Sequence, residues 1–217
     1  MASAPLAGRA GRHAAEEALR AAMLRGDVVP GQRLVEAELA EMFGVTRAGM
    51  RAALIELTAE GLVERVPHRG ARMRVVTVQE AVAIIECHMV LEGLCAAKAA
   101  ERATDGHVDA LIRLGAALRE AVEAGEPMKY SALNCDLHRM VREIAGQPVA
   151  ADLLQRLNAQ IVRHQFQLAV RPGRMRTSLP EHLAIVDAIT HRDPPAAEAA
   201  ARAHLRSVIA ALREPEP

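Results

Sequence analysis

The stretch EMFGVTRAGMRAAL, residues 41–54, reads as two helical segments separated by three residues that favour a turn. Within this interruption, Gly44 can take the positive φ of a tight turn, and Thr46 has the hydroxyl of a good helix N-cap. Arg47 and Arg51 then occupy the first two turns of the second segment. A break of this kind between two helices with apolar faces is typical of a helix-turn-helix.

The two arginines suggest what this stretch does. In a helix-turn-helix, the second helix enters the major groove of DNA with its N-terminal residues against the base edges. A guanidinium group can bind O6 and N7 of guanine together, which makes Arg47 and Arg51 candidates for base contacts. Taken alone, the stretch also fits an ordinary helical hairpin with two solvated arginines.

The flanking sequence favours the DNA-binding interpretation. Helices are predicted over residues 10–25, 35–43 and 47–60, and two short strands, LVERV and ARMRVVT, follow around the turn PHRG. Three helices and a two-stranded ribbon make a winged helix-turn-helix, in which the turn of the ribbon is the tip of the wing.

The remainder of the chain predicts only helices. Thr77 and Glu80 have the spacing of a capping box, so we place a boundary there, with domains at residues 1–76 and 77–217. The expected fold class is therefore mainly α, with an N-terminal winged helix-turn-helix followed by an all-helical bundle. Helices of the bundle are predicted over residues 78–103, 106–124, 127–145, 148–170, 174–191 and 194–213.

Composition limits the classes of function. Of the 217 residues, 51% are hydrophobic, and the formal net charge is zero, which excludes indiscriminate binding of polyanions. No run approaches the ~18 apolar residues of a membrane span, and no segment resembles a signal peptide, so we expect a cytoplasmic protein without a membrane partner. Cys87, Cys95 and Cys135 lack metal-type spacing and are expected to be reduced thiols.

A second group of polar residues lies in the predicted bundle. Asn134 and His138 are four residues apart, on one face of a helix, whereas His182 and His204 lie on the last two predicted helices. Three imidazoles and one side-chain oxygen, brought together inside a bundle, would bind a divalent metal ion. From spacing alone, surface histidines or singly hydrogen-bonded ones explain the same pattern.

About fifty contiguous residues, from LRGDVVPGQRL to RGARM, resemble the DNA-binding domain of GntR-type bacterial transcription regulators. The shared features include the PG turn, FGV-[ST]-R, a second arginine four residues on, EGL after the recognition helix, and RG at the wing tip. The resemblance implies that Arg47 and Arg51 contact bases or phosphates and that Thr46 contacts a phosphate. It also implies that Arg69 and Gly70 approach the minor groove.

This chain departs from the GntR-type pattern at two positions of the recognition helix. Glycine stands at position 49, where proline is usual, and alanine stands at position 52, where glutamate is usual. Because glycine costs about 1 kcal/mol of helix propensity relative to alanine, we expect the recognition helix to be loose without DNA.

The helical part resembles the FCD effector domain of the FadR subgroup. Many members carry D-x-x-x-H, a second histidine in an EH pair and a third on the last helix, and His138, His182 and His204 match these positions. The resemblance implies a divalent metal ion, with zinc, nickel or manganese as the candidates. Asn134 replaces the usual aspartate, and its neutral carbonyl oxygen should weaken the site or change the metal that it prefers.

The same resemblance implies an effector and a dimer. A small carboxylic or sugar acid would take the metal positions that the protein leaves open, and a homodimer would bind double-stranded, roughly palindromic operator DNA. His88, in the position of an arginine common among relatives, and His164 are further candidates for ligand binding, although packing or surface roles explain them as well. The apolar face of the first bundle helix, including Val82 and Ile85, is a candidate dimer interface or simply core.

We therefore predict a ligand-responsive transcription regulator, acting as a repressor, rather than an enzyme. One alternative is a DNA-binding regulator whose histidines are structural and which has no small-molecule effector. A second alternative is a helical metal hydrolase, for which Glu181 is the only candidate general base beside the histidines. The chain contains no H-E-x-x-H motif, phosphate loop or nucleophile elbow.

Overall fold

The computed structural model describes residues 6–25, 27–66, 70–169 and 171–214. The chain divides into two compact units, Met1–Val76 and Thr77–Pro217. None of the described helices is long and apolar enough to cross a membrane.

In its described residues, the first unit contains three helices and a small antiparallel sheet. The expected two-stranded ribbon is present, since Val63–Val66 pairs antiparallel with Gly70–Met73, and a third strand that was not expected pairs with the other edge of Gly70–Met73. That strand, Arg33–Leu34, is too short to give a sequence signal, and main-chain hydrogen bonds of 2.9 Å join Gly31 and Gln32 to Met73. The elements are α1 Gly8–Arg25, β1 Arg33–Leu34, α2 Glu36–Met42, α3 Arg47–Ala59, β2 Val63–Val66 and β3 Gly70–Met73.

The turn between α2 and α3 has the geometry that its residues predict. Gly44 has a φ of 65°, and Thr46 caps α3 by accepting a hydrogen bond of 3.1 Å from the amide of Gly49. The apolar residues around this turn are buried and fix the two helices against each other: Leu39, Ala40, Val45, Met50 and Leu54. Because this side of α3 faces the core, the opposite side of the helix is left exposed to solvent.

Gly49 has a packing role that the sequence did not indicate. A Cβ atom at this position would lie 3.2 Å from the carbonyl carbon of Gly11 and 3.4 Å from the amide nitrogen of Arg12. A larger residue in this first turn of α3 would therefore require the backbone of α1 to shift by a few tenths of an ångström. Gly49 therefore lowers the helix propensity of α3 but permits the close contact between α3 and α1.

The second unit consists of six helices in its described part, and each lies within about one residue of its predicted bounds. Thr77 caps the first of them by accepting from the amide of Glu80 at 3.2 Å, and Asp193 caps the last by accepting from Ala196 at 3.0 Å. The helices are α4 Val78–Arg102, α5 Asp105–Glu123, α6 Pro127–Ala145, α7 Pro148–Ala169, α8 Arg174–Thr190 and α9 Pro194–Arg213.

The long helix α4 packs against α6, α7 and α9, and α8 lies between α5 and α9. Many core positions are alanine, which lets the helices approach closely around larger residues such as Leu118, Leu137 and Ile189. Val82 and Ile85 are buried within this unit, which favours the core explanation of these residues over a dimer interface. On the exposed face of α4, apolar side chains such as Val90 and Leu94 are available for a dimer interface.

Candidate functional site

Three helices of the second unit bring the predicted histidines together. His138 comes from α6, His182 from α8 and His204 from α9, and a nitrogen of each lies within 4.8 Å of the others. The rings of His182 and His204 are the closest pair, with centroids 4.4 Å apart. His182 is 1% exposed and His204 is 5% exposed, whereas 19% of the His138 side chain reaches solvent. The cluster is therefore an interior site with one accessible side.

Each imidazole has a partner at its Nδ1 atom. His182 Nδ1 lies 2.7 Å from the hydroxyl of Tyr130, and His204 Nδ1 lies 2.9 Å from the carboxylate of Glu181. His138 Nδ1 lies 3.6 Å from the carboxylate of Glu92. Partners of this kind fix the orientation and the tautomer of metal-binding histidines, because an Nδ1–H that donates outward leaves Nε2 free for the metal. In agreement, His182 Nε2 is buried and has no hydrogen-bond partner.

Asn134 supplies a fourth candidate donor atom. It lies one helical turn before His138 on α6, and its Oδ1 is buried without a hydrogen-bond partner. An unpartnered buried carbonyl is unfavourable unless another group binds it. Three imidazole nitrogens and one amide oxygen fit a borderline divalent cation such as zinc, nickel or manganese, so the residues present suit the expected metal.

One buried carboxylate, Glu92, and one half-buried carboxylate, Glu181, lie beside the histidines, and each is paired with an arginine. Glu92 accepts a hydrogen bond of 2.9 Å from Arg142, and Glu181 lies 3.5 Å from Arg174. Burial alone would raise the pKa of Glu92, but the nearby His138 and Arg142 lower it to about 2. Burial likewise opposes the lowered pKa of Glu181, which results mainly from the hydrogen bond of His204. Both carboxylates are therefore ionised at neutral pH.

Within the cluster, the two most buried histidines, His182 and His204, are held in their neutral form. Burial, with the neighbouring imidazoles, lowers the pKa of His182 well below its usual value. Burial also lowers the pKa of His204, against the opposing effect of Glu181. Neutral imidazole is the form that binds a metal ion, so His182 and His204 are in their metal-binding form at neutral pH.

The two further ligand candidates, His88 and His164, differ in their burial and in their surroundings. His88 is buried on α4, its Nε2 has no hydrogen-bond partner, and Glu92, His138 and Arg142 are its electrostatic neighbours. Burial lowers the pKa of His88 to about 4, against the opposing effect of Glu92. His164 is half-buried on α7 and does not belong to the group of converging nitrogens.

The partners around the histidines, Tyr130, Glu92 and Arg142, were not identified from the sequence. Glu92 could have been identified from the sequence as a buried functional residue, because it is an acidic residue on the apolar stripe of a long helix. Glu181 was noted only as a general base for a hydrolase. Its carboxylate instead accepts a hydrogen bond from Nδ1 of His204 and lies near Arg174, so it orients the imidazole of His204.

The candidate DNA-binding surface lies at the start of α3. Arg47 is exposed on its first turn, and the side chain of Arg51 is 63% exposed. Nε and Nη2 of Arg51 both donate to Oε2 of Glu36, at 2.9 and 2.8 Å, a partner that the sequence did not reveal. Gly70 is exposed at the start of β3 with a φ of 86°, whereas Arg69 lies outside the described residues.

A winged helix-turn-helix followed in the chain by a helical unit with a histidine centre defines a class of two-part DNA-binding regulators. Comparison with known families agrees: residues 12–73 match the bacterial regulatory proteins of the gntR family, and residues 83–207 match the FCD domain. The chain belongs to the gntR family of transcription regulators, in the branch that carries an FCD domain. The family consists of regulators and not of enzymes, which confirms the predicted family and excludes the hydrolase alternative.

Two curated relatives and one solved structure cover nearly the whole chain. The HTH-type transcriptional repressor RspR of Escherichia coli K12 is 26% identical over 197 residues, which cover 88% of this chain and 86% of RspR. NanR of Citrobacter rodentium, also an HTH-type transcriptional repressor, is 28% identical over 235 residues, with coverage of 95% and 86%. The structure of Escherichia coli McbR/YncC has the same fold, with a TM-score of 0.77, 20% identity and coverage of 95% and 98%.

Proposed function

We propose that this regulator is a cytoplasmic repressor that senses a small carboxylic or sugar acid through a divalent metal ion. In this proposal Asn134, His138, His182 and His204 hold the metal, and the acid completes its coordination. The observation that carries the proposal is the convergence of three imidazoles whose Nδ1 atoms all face outer partners. A structural cluster would have no need of buried nitrogen and oxygen atoms that lack hydrogen bonds.

The first unit, residues 1–76, is the proposed DNA reader. Arg47 and Arg51 contact base edges or phosphates from the exposed start of α3, Thr46 contacts a phosphate, and the wing with Arg69 and Gly70 reaches the minor groove. One recognition helix reads only a few base pairs, so a homodimer on a roughly palindromic operator supplies useful affinity. Repression is proposed because RspR and NanR both bear the name of repressors.

The second unit, residues 77–217, is the proposed sensor and dimerisation domain. An effector that binds one arrangement of the dimer more tightly than another shifts the population towards that arrangement. The spacing of the two recognition helices then changes, and with it the affinity for the operator. The coupling is reciprocal, so operator DNA must weaken effector binding by the same factor.

The experiment that tests the proposal combines metal analysis with operator selection. Purified protein is analysed for bound metal, and genomic fragments that it retains are sequenced to define the operator. Small acids are then screened for release of that operator from the metal-loaded protein. With divalent metal added, we expect about one ion per chain, and we expect at least one acid to release the operator from the metal-loaded protein but not from the metal-free protein.

The same experiment separates the proposal from the main alternative, a regulator with a structural histidine cluster. Operator binding without metal uptake, together with no thermal stabilisation by zinc, nickel or manganese, would favour that alternative. His88 is kept as a candidate effector contact because its buried Nε2 lacks a partner, and His164 as a weaker candidate on α7.

A further inference from the structure

The groups that would touch the metal carry no formal charge. They are three imidazoles, which bind a metal ion in their neutral form, and the amide oxygen of Asn134. The two nearest carboxylates face away, since Glu92 and Glu181 lie at the Nδ1 side of His138 and His204. Neither carboxylate is therefore placed to neutralise a cation at the Nε2 side.

The charges of the surrounding layer also cancel. Arg142 donates to Glu92 at 2.9 Å, and Arg174 lies 3.5 Å from Glu181, which gives two cations for two anions. The Glu92 and Arg174 side chains are 6% and 10% exposed and their partners Arg142 and Glu181 are 20% and 19% exposed, so solvent screens these pairs less than it screens surface pairs. A divalent ion bound here would bring two positive charges into an interior that is otherwise neutral.

Such a charge is unfavourable in an interior unless an anion compensates it. A protein carboxylate in the position of Asn134 would supply part of that compensation, and the resemblance described above places an aspartate there in many relatives. In this chain an anion has to come from outside. The partly exposed His138 marks the side from which it can enter.

We propose that the metal ion and a carboxylate ligand bind to this protein as a coupled pair. The ligand carboxylate supplies the negative charge that Asn134 lacks, so the metal is held weakly alone and strongly together with the acid. This inference rests on the metal site of the proposed function and adds that metal retention is itself effector-dependent. Coupling between two sites is commonly worth about 5–150-fold in affinity.

The test measures Co²⁺ affinity of the metal-free, full-length protein by calorimetry and by the visible absorption of bound Co²⁺. Titrations are run with acetate, and with acetamide plus chloride at the same ionic strength as a neutral control. Acetate is chosen because it chelates free Co²⁺ weakly. The matched variant is Asn134→Asp, which has the same shape, and His204→Ala identifies binding elsewhere on the chain.

In the wild-type protein, we expect acetate to raise Co²⁺ affinity at least about tenfold and to change the absorption of bound Co²⁺. In Asn134→Asp, we expect tight Co²⁺ binding without acetate and a gain of less than about threefold on adding it. An equal gain in both proteins, or no gain in the wild type, would overturn the coupling. The wild-type titrations decide the question even where the variant fails to fold.

Failure of this inference can be distinguished from failure of the proposed function. Absence of Co²⁺ binding in the wild type under both conditions, or binding that His204→Ala retains, removes the metal site and the coupling with it. Tight binding that acetate does not alter leaves the metal site in place and removes only the coupling.

Discussion

The start of α3 and the histidine centre differ in how their functional groups are held. Arg47 and Arg51 are neighbours along one helix and extend into solvent, and neither contributes to the core of the first unit. His182 and His204 come from different helices, are almost completely buried, and depend on Tyr130 and Glu181 for their orientation. A change in the first region should therefore affect function alone, whereas a change in the second should affect both function and stability.

The largest expected effect is the loss of metal in His182→Ala. Removing the most buried of the three imidazoles leaves two nitrogen ligands, so bound metal should fall from about one ion per chain to none. Metal content after equilibrium dialysis against Co²⁺ and acetate is the measurement, and His191→Ala, at an exposed position on the end of the same helix, is the matched control. Retention of metal by His182→Ala would show that the three-histidine site is wrong.

The next effect is expected at the DNA-binding surface. Arg51→Ala should weaken operator binding by about 1–3 kcal/mol without altering the thermal unfolding of the protein, because Arg51 is exposed. Fluorescence anisotropy with a labelled operator measures the loss, and Arg119→Ala in the second unit is the control. An unchanged affinity would contradict the assignment of α3 as the recognition helix.

The substitution Tyr130→Phe tests whether the hydroxyl of Tyr130 orients the imidazole of His182. With the hydroxyl gone, the Nδ1–H of His182 loses its buried partner, and metal affinity should fall about 10–100-fold. Competition with a chelator measures the affinity, and the thermal unfolding of the metal-free protein serves as the control. If stability falls and affinity does not, Tyr130 has a packing role only.

Acidification should destabilise the buried centre of the metal-free protein. The pKa of His88 is about 4 in the folded chain and about 6.5 when unfolded, so the unfolded chain binds more protons between these values. Stability is therefore lost as the pH falls from 6.5 towards 4, and His88 alone should account for about 2 kcal/mol at pH 5 relative to pH 8.

Denaturant unfolding measures this loss through the fluorescence of Tyr130, because the chain has one tyrosine and no tryptophan. The His88→Gln variant should show a smaller difference between pH 8 and pH 5. An equal difference in both proteins would mean that His88 is not a buried neutral imidazole.

The smallest effect is expected for Glu36→Gln. The exposed pair of Glu36 and Arg51 contributes little to stability, so unfolding should be unchanged. Losing a carboxylate beside the recognition helix should raise affinity for non-specific DNA by less than about 1 kcal/mol. Binding to a scrambled duplex at two salt concentrations measures the change, and weaker binding would show that Glu36 positions Arg51 instead.

The sequence alone determined the helices, the helix-turn-helix and the family. These features depend on residues close together in the chain: the turn at Gly44, the cap at Thr46, the apolar periodicity and the proline at the start of α9. Short-range sequence patterns did not predict the features that depend on a partner far away in the chain. Strand β1 has two residues and exists only because β3 pairs with it, and Gly49 made sense only once α1 lay against α3.

Only the tertiary structure decided how the histidine centre is built. Spacing named His138, His182 and His204, but it did not show that Tyr130, Glu92 and Glu181 orient them, or that arginines neutralise both carboxylates. Those partners lie on separate helices, and a sequence pattern carries no record of which faces meet when a bundle packs. Burial then sets the charge state of each group, because the cost of a charge depends on its surroundings in three dimensions.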